Sequence, residues 1–138
     1  MSILCTSHLK KYYGKDESLV RALDDINVSI EKGQFAAIIG TSGSGKSTLL
    51  HMLGGLDRPT SGSIQVENNS LETMREEELA VFRRRRIGFV FQNYNLIPYL
   101  TAYENIVLPV RLDGKTEDKK LLEEIIGFLE LDGKLSNY

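Results

Sequence analysis

Phe35-Ala36-Ala37-Ile38-Ile39-Gly40-Thr41-Ser42-Gly43-Ser44-Gly45-Lys46-Ser47-Thr48-Leu49-Leu50 is the stretch that decides the fold. Its first five residues form an uninterrupted apolar run, the composition of a strand covered on both faces. Its centre, Gly40 to Ser47, satisfies the pattern G-x-x-x-x-G-K-[ST] at every fixed position. Beyond it Leu49, Met52, Leu53 and Leu56 recur at i, i+3, i+4 and i+7, one face of a helix. Gly54-Gly55 and Pro59 end that helix. Strand, glycine loop and helix in this order predict an α/β chain built around a phosphate-binding loop.

The spacing follows from the chemistry of an anion. Glycines let the loop curl until successive backbone N–H groups face one point. The helix starting near Lys46 adds its unpaired amides and positive dipole end. Lys46 supplies a mobile charge for β- and γ-phosphates, and the Ser47 hydroxyl suits Mg²⁺, a cation that prefers oxygen ligands. The ligand expected is therefore a nucleoside triphosphate with Mg²⁺.

Working outward, Ile26, Val28 and Ile30 alternate with Asn27, Ser29 and Glu31, the period of a half-buried strand. Glu31-Lys32-Gly33 turns that strand into Phe35–Ile39. Downstream, Gly62–Val66 and Ile87–Phe91 have strand character. Thr73-Met74-Arg75-Glu76 and Thr101-Ala102-Tyr103-Glu104 have capping-box spacing. The first opens a helix through about Arg84, and Thr116 is the expected cap of a further helix with Leu121, Leu122, Ile125, Ile126 and Leu129 on one face. Ile125–Asp132 resembles a hydrophobic strand ending in an acid, but its apolar spacing is helical and Gly127 interrupts it. Residues 1–95 are thus expected to form an α/β core with an antiparallel β part from the first 35 residues. Residues 96–138 begin a helical subdomain.

Composition narrows the class. The 138 residues are 41% hydrophobic and 26% charged with a formal net charge of −2, which gives no general attraction to nucleic acid or anionic lipid. Cys5 is the single cysteine, which excludes an intramolecular disulfide and fits a reducing compartment. Phe35–Ile39 is the longest apolar run, far short of a membrane span, and no hydrophobic segment precedes Lys10-Lys11 as in a signal peptide. Arg83–Arg86 closes a helix that begins with Glu76-Glu77-Glu78, the arrangement the helix dipole favours, so a nucleic-acid or lipid role is the weaker reading. His8 and His51 have no metal-ligand partners at useful spacing.

A GTPase is disfavoured because neither D-x-x-G nor N-K-x-D occurs in the chain. Three segments in order instead resemble ATP-binding cassette ATPases: Thr41–Leu50, Leu56-Asp57-Arg58-Pro59-Thr60-Ser61-Gly62, and Gly88-Phe89-Val90-Phe91-Gln92. Ile87–Pro98 and Thr101–Leu108 are most similar to the group serving lipoprotein release, macrolide export and bacitracin-type peptide resistance. The resemblance implies a P-loop NTPase with a RecA-like core, an antiparallel β subdomain and the start of an α-helical subdomain. It implies ATP hydrolysis coupled to an integral-membrane permease, with export of or resistance to lipophilic or peptide compounds. Two nucleotide-binding domains would act as a homodimer on the cytoplasmic face of the membrane, held there through the permease.

The resemblance also assigns residues. Gly40, Thr41, Ser42, Gly43, Ser44, Gly45, Lys46, Ser47 and Thr48 bind the nucleotide, and Tyr13 stacks on adenine, with Tyr12 the competing candidate. Lys46 and Gln92 take part in catalysis, and Ser47 and Gln92 approach the metal. An amide suits that last place, since it accepts toward a cation and donates toward phosphate or water. Gln92 is also expected to link the site to the helical part. The family's Leu-Ser-Gly-Gly-Gln signature and its Walker B acids do not occur in the chain; Leu135-Ser136-Asn137 only begins like the signature. The expectation is a truncated domain that binds ATP and is inactive alone. The rival readings are a non-catalytic nucleotide-binding fragment and a soluble P-loop kinase or GTPase.

Overall fold

The computed structural model describes residues 2–138. The chain divides into two compact units, Met1–Ile87 and Gly88–Tyr138. In the first, two twelve-residue strands, β1 (Ser2–Tyr13) and β2 (Val20–Glu31), pair antiparallel over their length. β3 (Ser61–Val66) joins the other edge of β1, and β4 (Asn69–Ser70) joins β3, giving the order β2-β1-β3-β4. The expected alternation of Ile26, Val28 and Ile30 is the inward side of β2, each half-buried between exposed neighbours.

Helix α1 (Lys46–Leu53) lays Leu49, Met52 and Leu53 on the sheet, where they share one core with Leu9, Leu23, Ile64 and Val66. Leu71, from a single 3-10 turn, and Leu79, from α2 (Glu76–Arg86), complete it. Leu56, expected on the same helical face, falls beyond the end of α1 and is exposed. The Arg58 guanidinium fastens the following loop, donating to the Met74 and Glu72 carbonyls at 2.7 and 3.2 Å and to Glu76 Oε1 at 2.8 Å. The arginine run behaves as a helix end: Arg83 donates to the Gly55 carbonyl at 2.7 Å, and Arg86 pairs with Glu67 at 3.4 Å.

The second unit holds α3 (Ala102–Leu112) and α4 (Lys119–Phe128), with Val107 and Ile126 buried. The capping box at Thr101 forms as expected, Thr101 Oγ1 accepting from the Glu104 amide and Glu104 Oε2 from the Thr101 amide. Asn105 clamps the preceding loop through its side-chain amide, exchanging hydrogen bonds with Ile97 and donating to the Leu100 and Thr101 carbonyls. Among the described residues no helix is long and apolar enough to cross a membrane.

Four expectations need correction. Thr73 does not cap α2; its hydroxyl turns back to the Ser70 carbonyl, and the helix opens after Arg75, whose amide donates to the Glu78 carboxylate. Thr116 does not cap α4, because Asp118 takes the Lys120 and Leu121 amides with a charged acceptor. Phe35–Ile39 and Ile87–Phe91 are not paired strands. Phe35, Ile39 and Val90 are 94%, 90% and 96% exposed. A doubly covered strand exists only where neighbours take its N–H and C=O groups and cover both faces. All paired strands among the described residues belong to the antiparallel sheet instead.

Glu117, between α3 and α4, offers a pH test of the second unit. Its Oε1 accepts from the Tyr103 hydroxyl at 2.6 Å and from Arg111 at 3.2 Å, and these donors, Tyr103 first, lower its carboxyl from 4.5 to about 2. A lowered folded value stabilises the fold above the ordinary carboxylate range, and the effect is lost as pH falls through the folded value. Denaturation of wild type and Glu117→Gln should differ at neutral pH. The gap should begin to close below about pH 4.5 and be gone near 2; a gap independent of pH would exclude the ionised pair as its source.

Candidate phosphate-binding site

The loop between Gly40 and α1 is shaped by its glycines. Gly43 and Gly45 sit in the left-handed region at φ +78° and +87°. Gly45 is also crowded: a Cβ there would lie 2.3 Å from the Ala22 carbonyl oxygen of β2 and 3.3 Å from Leu23 Cδ2. The glycine thus lets the loop press against the sheet while α1 begins at the next residue. Gly40 is close to Ser44, whose Oγ would be 2.6 Å from a Cβ at that position.

Helix α1 begins with Gly45 as its N-cap, without a side-chain cap and without an acid in its first turn. The contrast with α3 and α4 is chemical. Their first-turn amides receive the Thr101 and Asp118 oxygens, and α3 also receives the Asn137 and Leu135 carbonyls. At α1 the positive end of the helix, with Lys46, Ser47 and Thr48 in its first turn, is left for an outside anion. The Lys46 ammonium curls over the loop, donating to the Thr41 carbonyl at 2.5 Å and to Ser44 Oγ at 3.4 Å. These residues fit the triphosphate of a nucleotide: flexible glycine backbone, uncapped amides, a cation and a hydroxyl.

Tyr13 belongs to the same unit. Its hydroxyl donates to Asp57 Oδ2 at 3.0 Å, in the turn after α1. Burial pushes its phenol up and the Asp57 hydrogen bond adds to the rise, while Lys11 and the Thr48 hydroxyl on α1 oppose it. Tyr12 is committed elsewhere: its hydroxyl donates to Asp24 at 2.5 Å and its ring lies under the Arg21 guanidinium, both on β2. The structure therefore ties Tyr13, and not the Tyr12 side chain, to the turn after α1. Gln92 lies in the second unit, exposed in a turn instead of at the end of a strand. Asp57 and Lys11 carried no role in the sequence reading; the motif Leu56–Gly62 flagged the first, but its contact with Tyr13 spans 44 residues.

The sequence pattern of the ABC transporter family matches residues 23–137. The chain belongs to that family. It is 44% identical over 139 aligned positions to the macrolide export ATP-binding/permease protein MacB of Mannheimia succiniciproducens, covering 99% of this chain and 22% of that protein. The bacitracin export ATP-binding protein BceA of Halalkalibacterium halodurans is 39% identical, covering 99% of this chain and 56% of that protein. The solved structure described as a dimeric post-hydrolysis state of the ATP-binding cassette MJ0796 bound to ADP and Pi superposes with a TM-score of 0.87. The identity is 38%, over 98% of this chain and 60% of that one. The chain thus spans less than two thirds of these relatives. The P-loop fold with an antiparallel β part is that of these cassettes, and the similarity to macrolide and bacitracin exporters is borne out.

The Gly45 geometry makes a measurable claim about this cassette. Gly45→Ala places a methyl group against Ala22 in a backbone region L-residues avoid, a strain of about 1–3 kcal/mol. Gly88→Ala meets nothing within 4 Å, so its cost should be well under that. Chemical denaturation of the two variants checks the difference; equal stabilities would mean that the loop does not need glycine at Gly45.

Proposed function

We propose that this chain is the ATP-binding part of a transporter subunit that couples binding and hydrolysis of ATP to a membrane permease. The observation that carries this is the uncapped start of α1, with left-handed Gly43 and Gly45 before it and Lys46 and Ser47 in its first turn. In this reading Gly40–Thr48 hold the triphosphate. Lys46 exchanges its bond to the Thr41 carbonyl for the β/γ-phosphates. Ser47 offers its hydroxyl to Mg²⁺, Tyr13 receives the adenine, and Gln92 keeps the catalytic and coupling role that the family resemblance implies. Mg-ATP supplies the phosphoanhydride whose hydrolysis drives transport.

The relatives support a reading of the partners. The MacB name joins an ATP-binding part to a permease, and the MJ0796 cassette is described as dimeric. We infer the same two partners here, a permease and a second nucleotide-binding domain, and a place on the cytoplasmic face of the membrane through the permease. Likeness to MacB and BceA favours export of, or resistance to, lipophilic or peptide compounds. Residues 1–138 alone are inferred to bind nucleotide without turnover, since they carry neither the Leu-Ser-Gly-Gly-Gln signature nor a Walker B strand with its acids.

Lys46→Ala should abolish useful Mg-ATP binding by the full-length protein, read by titration with a fluorescent ATP analogue. Wild-type affinity in that variant would refute the role of Lys46, and Lys46-dependent phosphate release by residues 1–138 would refute the inferred absence of turnover by those residues. Gln92→Ala should spare ATP binding yet impair coupling. The measurement is ATPase activity with and without the permease, and a permease-stimulated rate equal to wild type would remove Gln92 from the coupling path.

A further inference from the structure

Three donors converge on the Asp57 carboxylate in the turn after α1. Oδ1 accepts from the Lys11 ammonium at 2.8 Å and from the Arg58 amide at 2.7 Å, and Oδ2 accepts from the Tyr13 hydroxyl at 3.0 Å. Lys11 also donates to the Arg58 carbonyl at 2.8 Å, and its ammonium lies 4.9 Å over the centroid of the Tyr13 ring. The Lys11 side chain is only 13% exposed, so this is an ordered arrangement and not a loose surface pair.

The arrangement fixes an aromatic ring without burying it. Tyr13 is still 42% exposed, although its hydroxyl is tied to one end of α1 and a cation covers one face. Ordering an aromatic side chain during binding weakens affinity, so a ring already held gains from being ordered in advance. With one face under Lys11, a planar ligand can stack only on the other. The Tyr12 side chain instead bonds Asp24 on β2, and only its backbone amide reaches the loop after α1, at the Thr60 hydroxyl.

We propose that Asp57 is the positioning residue for Tyr13, setting the angle of its ring beside the phosphate-loop helix, while Lys11 restricts the nucleobase to a single face. The proposal rests on the reading of Tyr13 as the residue that receives the base. Asp57 touches no ligand in this scheme and acts through the tyrosine hydroxyl.

The test is calorimetric titration of the full-length protein with ATP and, separately, with inorganic tripolyphosphate, each with Mg²⁺. The ratio of the two affinities isolates the base, because damage to the phosphate loop weakens both ligands alike. Tyr13→Ala should lower that ratio strongly. Tyr13→Phe keeps the ring and loses only the hydroxyl, and should lower it about two- to tenfold. Asp57→Ala should do the same, and combining it with Tyr13→Phe should add little, since both cut one interaction. A wild-type ratio in Tyr13→Phe overturns the proposal, as do additive losses or equal weakening of both ligands. A wild-type ratio in Tyr13→Ala overturns the base-binding reading and the proposal with it, which tells the two failures apart. Should Asp57→Ala not fold, Tyr13→Phe alone decides.

Discussion

The burial of one face of α1 against the antiparallel sheet is the constraint on which the rest of the first unit depends. Leu49, Met52 and Leu53 share a core with Leu9, Leu23, Ile64 and Val66, so the helix cannot slide or rotate without exposing several large apolar side chains. Fixing α1 fixes where its first amides point. It also forces the preceding loop against β2, and only a residue without a Cβ fits beside the Ala22 carbonyl. The glycine meets that packing requirement at the residue before the helix begins.

The turn after α1 extends that control to the far end of β1. Asp57 joins two elements distant in sequence, holding Lys11 and Tyr13 at once. Partial burial works against its negative charge, yet hydrogen bonds from Lys11, the Arg58 amide and Tyr13 keep its carboxyl below the ordinary range. Arg58, the next residue, ties the same turn to the segment before α2. Each side chain in Asp57-Arg58 thus has a bond that its neighbours require.

The two apolar runs that are not paired show where a local pattern stops being sufficient. Phe35–Ile39 has the composition of an interior strand, but a strand is a relation between chains of N–H and C=O groups and cannot be satisfied by one segment. The antiparallel sheet succeeds because β1 and β2 supply both halves of the ladder within 31 residues. Helix starts show the same on a smaller scale: Thr73 and Thr116 have the right chemistry, but the helices open where Glu78 accepts from the Arg75 amide and Asp118 from the Lys120 amide.

Residue order by itself determined the phosphate loop, the helix behind it, the half-buried strand through Ile26, Val28 and Ile30, the capping box at Thr101 and the family resemblance. The first four are local: they depend on side-chain type at spacings of two to eight residues, and the resemblance rests on three such short segments in order, which the sequence displays directly. The tertiary structure decided that the Tyr13 hydroxyl, and not that of Tyr12, meets the turn after α1, that Lys46 folds onto Thr41, and that Asp57 holds Lys11 and Tyr13 at once. Those outcomes turn on strand pairing, on the register of β1 with its partners, and on contacts spanning tens of residues. No short window of sequence contains both members of such a contact, so only folding brings them within hydrogen-bonding distance.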